Sequence, residues 1–397
     1  MSNNEPPIRF AQYSGKWEEC KIGSCFTERN ESDPDGELIS VTINSGIKRF
    51  SELGRKDTSN DDKSHYKKVV AGDIAYNSMR MWQGASGYSP YDGIVSPAYT
   101  VITPNESTDS RFFSYLFKRK EIIKIFRTYS QGISSDNWNL KYPALKDIDV
   151  VIPNTINEQK DIASFLRDLD DLIAFHQVKL EKTKMLMVGL RQKLFTSLVE
   201  PEPNIRFEEY DYSWKKTSLH EIISPYTDYL PTPTDGYTRL GIRSHMKGTF
   251  YEYVAPSKRL GEKRLQRVKR DNFIVNIVFA WEHAIAVTTE EDEGKLVSHR
   301  FPQFSFNAGM YPRFFHYALN DERFRHHLWL ASPSGAGRNK TLRVDEMMEY
   351  ELLIPEYEEQ KKIADFLTAL DELIDLYEAR ITKLQNIKAA CLQGMFV

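Results

Sequence analysis

The sequence predicts an α+β protein in which two long antiparallel helices, forming a coiled coil, separate two globular mixed α/β domains. Three observations predict this pseudo-two-fold tandem repeat: two long segments share a heptad pattern, the segments before them share a start, and a proline-rich joint separates the copies. The predicted domains are residues 1–153 (first globular domain), 154–199 (first long helix), 200–205 (linker), 206–355 (second globular domain) and 356–397 (second long helix).

The first long helix follows Pro153, and Thr155 and Glu158 have the spacing of a capping box. Beyond this start, the seam residues recur at alternating steps of four and three, the period that knobs-into-holes packing requires. Because only Gly189 interrupts the run, about 40 residues at 1.5 Å rise give a rod of roughly 60 Å. The predicted seam is Ile162, Leu166, Leu169, Ile173, His176, Leu180, Thr183, Met187, Leu190 and Leu194.

The second long helix repeats the first at an offset of 201 residues, with EQKKIADFLTALDELI matching EQKDIASFLRDLDDLI. No other element obviously covers the two apolar stripes, so we expect them to pack on each other. We expect them to be antiparallel, because a folded domain must fit between them. Two independent core helices are the alternative, against which the unbroken heptad run argues. The predicted seam is Ile363, Leu367, Leu370, Ile374, Tyr377, Ile381, Leu384, Lys388, Cys391 and Met395.

The repeat also covers the start of each half. Residues 8–17 and 205–214 share Ile-Arg-Phe, a tyrosine and a tryptophan at one offset of 197 residues. The period is therefore about half the chain, which is far longer than any solenoid repeat. Pro201 and Pro203 stop the first helix and begin the linker.

Each globular half is predicted to contain short strands, then one helix, a polar loop and a final strand before the long helix. In the first half the strands lie within residues 38–43, 67–79 and 94–104, and the helix lies near residues 111–128. In the second half the strands lie within residues 238–244, 270–281 and 295–306, and the helix lies near residues 312–330. Many short strands with turn signals favour a compact mixed domain over a doubly wound sheet.

Composition predicts a cytoplasmic chain without a membrane span. No run approaches 18 apolar residues, the first residues lack a signal core, and three scattered cysteines fit a reducing compartment. The formal net charge of -3 counts mildly against a lone DNA-binding protein. Basic residues nevertheless cluster at 258–270 and 118–127, and local patches decide phosphate contacts more than the sum does.

No motif for catalysis, a metal or a cofactor is present in the sequence. It lacks the glycine-rich phosphate loops, the histidine and cysteine spacings of zinc sites, and the Asn-Pro-Pro-aromatic motif of amino methyltransferases. His326 and His327 are adjacent on a predicted helix and point to different faces. We therefore predict no catalytic or metal-binding residue and no cofactor in this chain.

Polar loops are the remaining candidates for function. Residues 77–83 gather an asparagine, an arginine and a glutamine, the side chains that form bidentate contacts with guanine and adenine edges. Residues 334–343 combine basic residues with glycines that allow close approach to phosphate. The predicted DNA-binding residues are Asn77, Ser78, Arg80, Trp82, Gln83, Ser135, Asn137, Arg243, His245, Lys247, Arg259, Lys263, Arg264, Arg338, Asn339, Lys340 and Arg343.

The layout closely resembles the specificity subunit of Type I restriction–modification systems. The resemblance covers the whole chain and rests on the doubled helix starts, Ile152-Pro153 with Glu158 onward and Ile354-Pro355 with Glu359 onward, and on the doubled Ile-Arg-Phe starts. It implies that each globular domain is a target recognition domain reading one half of a split, asymmetric DNA sequence. It also implies that the helix pair sets the gap and docks the methylation subunits.

The resemblance further implies a role in host defence and DNA methylation with several partners. These are double-stranded DNA, two methylation subunits carrying S-adenosylmethionine, and two restriction subunits using ATP and Mg. The chain itself would be a non-catalytic recognition subunit. Two alternatives remain: a coiled-coil adaptor whose domains bind proteins without reading DNA, and an enzyme with a site split between the domains.

Overall fold

The computed structural model describes residues 4–43, 46–57, 59–133, 137–196, 198, 201–256, 264–333 and 340–397. The chain forms two compact units. Unit 1 is Met1–Val178 with Glu378–Val397, and unit 2 is Lys179–Tyr377. Each unit therefore contains one globular region and one half of each long helix, whereas the predicted boundaries are consecutive along the chain.

Unit 1 contains ten strands and four short helices in its described globular part, followed by the long helix α5. The strands are β1 Glu18–Lys21, β2 Phe26–Glu28, β3 Ile39–Thr42, β4 Gly46–Arg49, β5 Lys67–Val69, β6 Ile74–Asn77, β7 Ser86–Tyr88, β8 Gly93–Val95, β9 Tyr99–Pro104 and β10 Asp149–Ile152. The helices are α1 Ile22–Cys25, α2 Ser110–Leu116, α3 Lys120–Tyr129, α4 Tyr142–Leu145 and α5 Ile156–Leu194.

Unit 2 repeats this order with additional strands near its start. The strands are β11 Lys215–Ser218, β12 Ile223–Tyr226, β13 Tyr229–Pro231, β14 Tyr237–Ile242, β15 Thr249–Val254, β16 Arg264–Arg267, β17 Asn272–Val275, β18 Ile285–Val287, β19 Leu296–Val297, β20 Gln303–Phe306 and β21 Glu351–Ile354. The helices are α6 Leu219–Ile222, α7 Pro312–Ala318, α8 Glu322–Leu330, α9 Val344–Met348 and α10 Tyr357–Gly394.

The two units share one sheet topology. The central antiparallel sheet has the order β2-β9-β6-β7 in unit 1 and β12-β20-β17-β18 in unit 2. In each unit the first strand also pairs with the last strand before a long helix, as β1-β10 and β11-β21. Among the described residues, only unit 2 has a five-stranded sheet, β13-β16-β19-β14-β15, in which the β14–β15 hairpin is longest. The halves therefore share a frame and differ in what is added to it.

The long helices pack on each other in an antiparallel sense. In unit 1 the first part of α5, with Ile162 and Leu166, shares a core with Cys391 and Met395 near the end of α10. In unit 2 the opposite ends share a core, which contains Met187 and Leu194 of α5 with Ile363, Ala364 and Leu367 of α10. The predicted antiparallel pair is confirmed, and the apolar period explains it because every predicted seam position is buried or half-buried.

Each core also contains aromatic side chains from the two helices that follow the central sheet. In unit 1 Phe112 packs near Trp17 and stacks on Phe396, which follows the end of α10. In unit 2 Phe314 occupies the equivalent place, near Trp214 and Phe195. The tryptophan at the start of each half is thus a core residue that joins the first segment to a long helix.

One secondary-structure prediction is wrong. The single helices predicted near residues 111–128 and 312–330 are each two helices, α2 with α3 and α7 with α8. Each break lies at an N-cap with extended backbone, Arg119 before α3 and Asp321 before α8. Neither position carries a proline or glycine that would signal a break in the sequence. Breaking the helix lets aromatic residues from both pieces, such as Phe117 and Phe126, enter one core.

The predicted capping box at α5 forms only in part. The Thr155 hydroxyl accepts the Glu158 amide at 3.4 Å. The Glu158 carboxylate instead takes a bidentate pair of hydrogen bonds from Arg9, at 2.7 and 2.8 Å, and one from the Trp17 indole at 3.2 Å. This correction has a physical cause, since the buried Glu158 carboxylate needs a fixed counter-charge more than the exposed N-cap amide needs a second acceptor.

Unit 2 contains the same ion pair. Arg206 donates to both oxygens of Glu359 at 2.8 Å, and that carboxylate is almost fully buried, like Glu158. The next residue in each helix, Gln159 or Gln360, is also buried and accepts the amide of Asp109 or Tyr311 at 2.9 Å. The Glu-Gln start of each helix therefore joins the first segment and the globular core to the helix pair.

We expect Glu359→Ala to lower the free energy of unfolding of unit 2 by about 2–4 kcal/mol, because it leaves the mostly buried Arg206 guanidinium without its counter-charge. Glu158→Ala should act equally on unit 1. Urea denaturation of the whole chain measures the loss, and Glu358→Ala, one residue earlier and exposed, is the matched control. Equal effects of the two alanines on α10 would contradict a structural ion pair.

Candidate nucleic-acid interface

In unit 1 the loop between β6 and β7 is built as a rigid turn. The Asn77 side chain accepts the Met79 amide at 3.0 Å, and its backbone amide donates to Ala85 at 2.9 Å. A short 3-10 turn, Met81–Gln83, follows, and Gly84 closes the loop with φ 83°, a left-handed conformation that favours glycine. Arg80 is exposed on this turn, within 3.4 Å of the Gln83 side chain.

Unit 2 builds the same loop between β17 and β18. Asn276 accepts the Val278 amide at 3.1 Å, its amide donates to Ala284 at 2.9 Å, and a 3-10 turn, Ala280–Glu282, follows. His283 takes the left-handed position with φ 61°. Its ring is buried, with Nε2 2.9 Å from the Leu319 carbonyl, and this burial lowers the pKa of the imidazole.

The two loops share their framework and differ in what they expose. At an offset of 199 residues Asn77, Trp82 and Ala85 match Asn276, Trp281 and Ala284. Both tryptophan indoles donate to the backbone carbonyl three residues earlier, at 3.0 and 3.1 Å. The side chains on the turns differ: unit 1 presents Met79, Arg80 and Gln83 where unit 2 presents Val278, Phe279 and Glu282.

The turn of the β14–β15 hairpin lies against the unit 2 loop. The His245 and Met246 amides donate to the carbonyls of Glu282 and His283 at 2.8 and 2.9 Å. The Ser244 hydroxyl also donates to the Glu282 carboxylate at 2.5 Å. The structure thus brings Arg243, His245 and Lys247 to the loop that follows β17, although nearly 30 residues separate them in sequence.

An aromatic and cationic cluster supports each loop from the side. In unit 1 Trp82 lies edge-on to Trp138, with ring centroids 5.2 Å apart, and the Arg127 guanidinium lies 5.1 Å from the Trp138 centroid. In unit 2 the Lys340 ammonium lies 5.0 Å from the Trp281 centroid and 4.8 Å from the Trp329 centroid. Each cluster joins its loop to the end of α3 or α8 and to the segment that precedes β10 or β21.

The remaining predicted DNA-binding residues have varied positions. Ser78 is 5% exposed and shares a 2.7 Å hydrogen bond with Thr100, so it belongs to the loop framework. Asn137 is exposed, and Arg343 is exposed but paired with Glu346 at 2.6 Å. Arg264 lies on β16, which pairs with β13 rather than with the loops. Five predicted residues lie outside the described part of the chain: Ser135, Arg259, Lys263, Arg338 and Asn339.

The predicted helix-pair residues are arranged along the inner faces of α5 and α10. The buried members are Ile162, Leu166, Ile173, His176, Leu180, Ile363, Leu367 and Ile381, and the half-buried members are Leu169, Leu370, Ile374 and Tyr377. The outward face of α5, in contrast, carries exposed apolar side chains, among them Phe175, Val178 and Met185.

Five residues of this region are absent from the predicted DNA-binding residues: Arg127, Trp138, Phe279, Trp281 and Trp329. Phe279 and Trp329 are almost half exposed, which is unusual for such large apolar side chains. A signal existed for four of them, because Trp82 and Trp281 align at one offset, while Arg127 with Trp138 aligns with Trp329 and Lys340 at another.

The structure places no metal-binding cluster among the residues it describes, and no described helix is long and apolar enough to cross a membrane. Cys20 and Cys25 approach each other, with sulfurs 3.7 Å apart. The hydrogen bond between the thiols lowers the pKa of Cys25 to about 7 and raises the pKa of Cys20. Two thiols alone do not complete a metal site.

The fold defines a class of protein: a tandem pair of α+β modules that share one pair of long helices. The family profile for the Type I restriction modification DNA specificity domain matches residues 16–184 and 244–386. The chain therefore belongs to this family, which confirms the predicted fold class and the predicted Type I specificity subunit. Members of this class are generally non-catalytic.

Individual relatives agree with the family assignment. The chain is 23% identical over 347 residues to the Type I restriction enzyme MjaVIII specificity subunit of Methanocaldococcus jannaschii, covering 82% of this chain and 80% of that protein. It is 23% identical over 397 residues to the putative type I restriction enzyme MjaX specificity subunit of the same organism, covering 92% and 88%. The crystal structure of a Type I restriction–modification S subunit from M. genitalium has the same fold, with a TM-score of 0.59, 15% identity and 99% of each chain covered.

Proposed function

We propose that this chain is the DNA sequence-specificity subunit of a Type I restriction–modification complex, in which each unit reads one half of a bipartite, asymmetric target. One observation carries this proposal within the family assignment. The two loops share their framework residues but expose different side chains, Arg80 and Gln83 in one and Phe279 and Glu282 in the other. Two modules that read different sequences need this combination of a common frame with different contacts.

The shape and chemistry of the unit 2 loop region support groove reading. A two-stranded ribbon fits the major groove of B-DNA, and the β14–β15 hairpin ends in Arg243, His245 and Lys247 beside the loop. In unit 1, Arg80 and Gln83 are suited to bidentate contacts with guanine and adenine. The proposed contacts are Asn77, Arg80, Trp82, Gln83, Ser135, Asn137, Arg243, His245, Lys247, Arg259, Lys263, Arg264, Arg338, Asn339, Lys340 and Arg343.

The helix pair is proposed to set the gap between the half-sites and to dock the methylation subunits. Its continuous helices α5 and α10, of 39 and 38 residues, each extend from one unit into the other, so their length limits how the modules are spaced. The exposed apolar residues on the outward face of α5 provide surface for protein partners. The complex would contain two methylation subunits with S-adenosylmethionine and two restriction subunits that use ATP and Mg.

Methylation mapping of a host genome tests the proposal. The chain is co-expressed with the methylation subunit of its system, and the same methylation subunit without this chain is the control. We expect a split motif with methylated adenines on both strands, and no methylation when this chain is omitted. A continuous motif, or methylation independent of this chain, would contradict the proposal.

A protein-binding adaptor is the second candidate, and the same exposed apolar side chains of α5 favour it. An adaptor would bind the methylation subunits but would not determine which DNA sequence the complex binds. Salt-dependent binding of target duplex by the assembled complex, with half-site discrimination relaxed in the variants of Arg80 or Arg243 described below, separates the two functions.

A further inference from the structure

The two tryptophan and cation clusters have the same parts in exchanged positions. At one offset of 202 residues Arg127 matches Trp329 near the end of the second short helix, and Trp138 matches Lys340 before the final strand. The backbone around them is equivalent, since the Leu140 and Leu342 amides donate to the Ser78 and Ile277 carbonyls, both at 2.8 Å. Position 127 has the cation and position 138 the ring, whereas in unit 2 the two are reversed.

This exchange shows what each cluster requires. Both units place a cation on a tryptophan face beside the loop, regardless of which element supplies the cation. A ring pair needed only for packing would not require the charge, and a surface charge needed only for solubility would not require the ring. The feature that the two units share is therefore a positive charge beside the loop.

The charge in each cluster is not neutralised by a carboxylate among the described residues. Other cations on the same elements are paired, as Arg119 is with Glu121 and Arg325 with Glu322. A cation–π contact at an exposed site is weak, so it orients the cation but leaves its hydrogen-bond donors available. A guanidinium stacked on a ring keeps its in-plane N–H groups for a phosphate, and an ammonium keeps its three donors.

We infer that Arg127 and Lys340 each contact a DNA backbone phosphate beside the half-site that their unit reads, and that Trp138, Trp281 and Trp329 are positioning residues for these cations. The inference rests on the proposed function. It adds Arg127 to the proposed contacts and assigns Lys340, already among them, to a phosphate. Phosphate fits better than a base edge because the charge is the same in both units, while the exposed loop residues differ. Phosphate contacts fix the register of a module on DNA, and base contacts specify the sequence.

The test uses the full chain assembled with its methylation subunits and a duplex that contains the mapped target. Arg127→Met and Lys340→Met remove the charge, and Arg127→Lys retains it. Trp138→Leu removes the ring but no charge. Arg325→Met on α8 is the matched control, because Arg325 is paired with Glu322.

Each methionine variant is expected to weaken binding about three- to tenfold for every sequence and to lower the slope of log affinity against log salt by about one. Arg127→Lys should keep the slope, and Trp138→Leu should weaken binding about two- to fivefold with the slope unchanged. A scan of single uncharged methylphosphonate linkages localises the contact. In the first half-site, one uncharged linkage should weaken binding of the unaltered complex but not of the Arg127→Met complex. In the second half-site, one linkage should distinguish the Lys340→Met complex in the same way.

The double variant Arg127→Trp with Trp138→Lys recreates the unit 2 arrangement in unit 1 and should retain the salt slope. Unchanged affinity and slope for both methionine variants, with target binding intact in the unaltered complex, would overturn this inference alone. Failure of the unaltered complex to bind its mapped target would overturn the proposed function together with it.

Discussion

Inserting one heptad into both long helices is expected to widen the gap in the DNA target by about three base pairs, with both half-sites unchanged. Seven residues add about 10 Å of helix at 1.5 Å per residue, which is about three base pairs at 3.4 Å each. The insertions belong between Val178 and Lys179 and between Tyr377 and Glu378, where each helix passes from one unit to the other. They therefore leave the contacts within each unit intact.

Methylation mapping reads the new gap directly, because the half-sites serve as internal landmarks. A seven-residue insertion preserves the 3.5-residue seam, whereas a four-residue insertion turns the helix by about 40° and shifts the stripes. A heptad in only one of the two helices, which leaves its partner too short, is the matched control and should abolish methylation. An unchanged gap with active methylation would contradict the role of the helix pair as a spacer.

The second large effect is expected from the reading loops. Arg80→Ala and Gln83→Ala should relax only the first half-site, and Arg243→Ala only the second. A bidentate contact contributes about 1–3 kcal/mol of discrimination against a wrong base, which is roughly 5- to 150-fold in affinity. Arg80 is exposed on a turn that Asn77 and Gly84 hold rigid, so removing its side chain should not disturb the loop framework.

Affinity for duplexes carrying one altered base pair measures this discrimination, and the untouched half-site is the control in the same experiment. Phe279 provides a further comparison, since it takes the place of Arg80 in the unit 2 loop. Equal weakening for all sequences would assign Arg80 and Arg243 to phosphate contact and remove them from base reading. Relaxation of both half-sites by one variant would contradict the division of labour between the units.

The predicted and observed structures agree best where the pattern is periodic and local. Each seam position from Ile162 to Leu194 is buried or half-buried, because a helix repeats its facing side at a fixed spacing that the sequence displays directly. The loops illustrate the limit of this reasoning. Their framework residues match at an offset of 199, whereas the helices match at 201 and the clusters at 202, so no single alignment offset brings them together.

The sequence by itself determined the duplication, the antiparallel helix pair, the α+β class and the family. The duplication follows from repetition along the chain, and the helix pair follows from the 3.5-residue period with a folded domain between the two helices. The α+β class follows from short strands with turn signals, and the family follows from the resemblance of the doubled helix and domain starts. The tertiary structure alone decided that Glu158 pairs with Arg9, that the predicted helices break before α3 and α8, and that Arg127 meets Trp138 beside Trp82. Glu158 lies 149 residues from Arg9, and Trp82 is also far from Trp138 in sequence. These contacts depend on which side chains the folded chain brings together, which no local pattern displays.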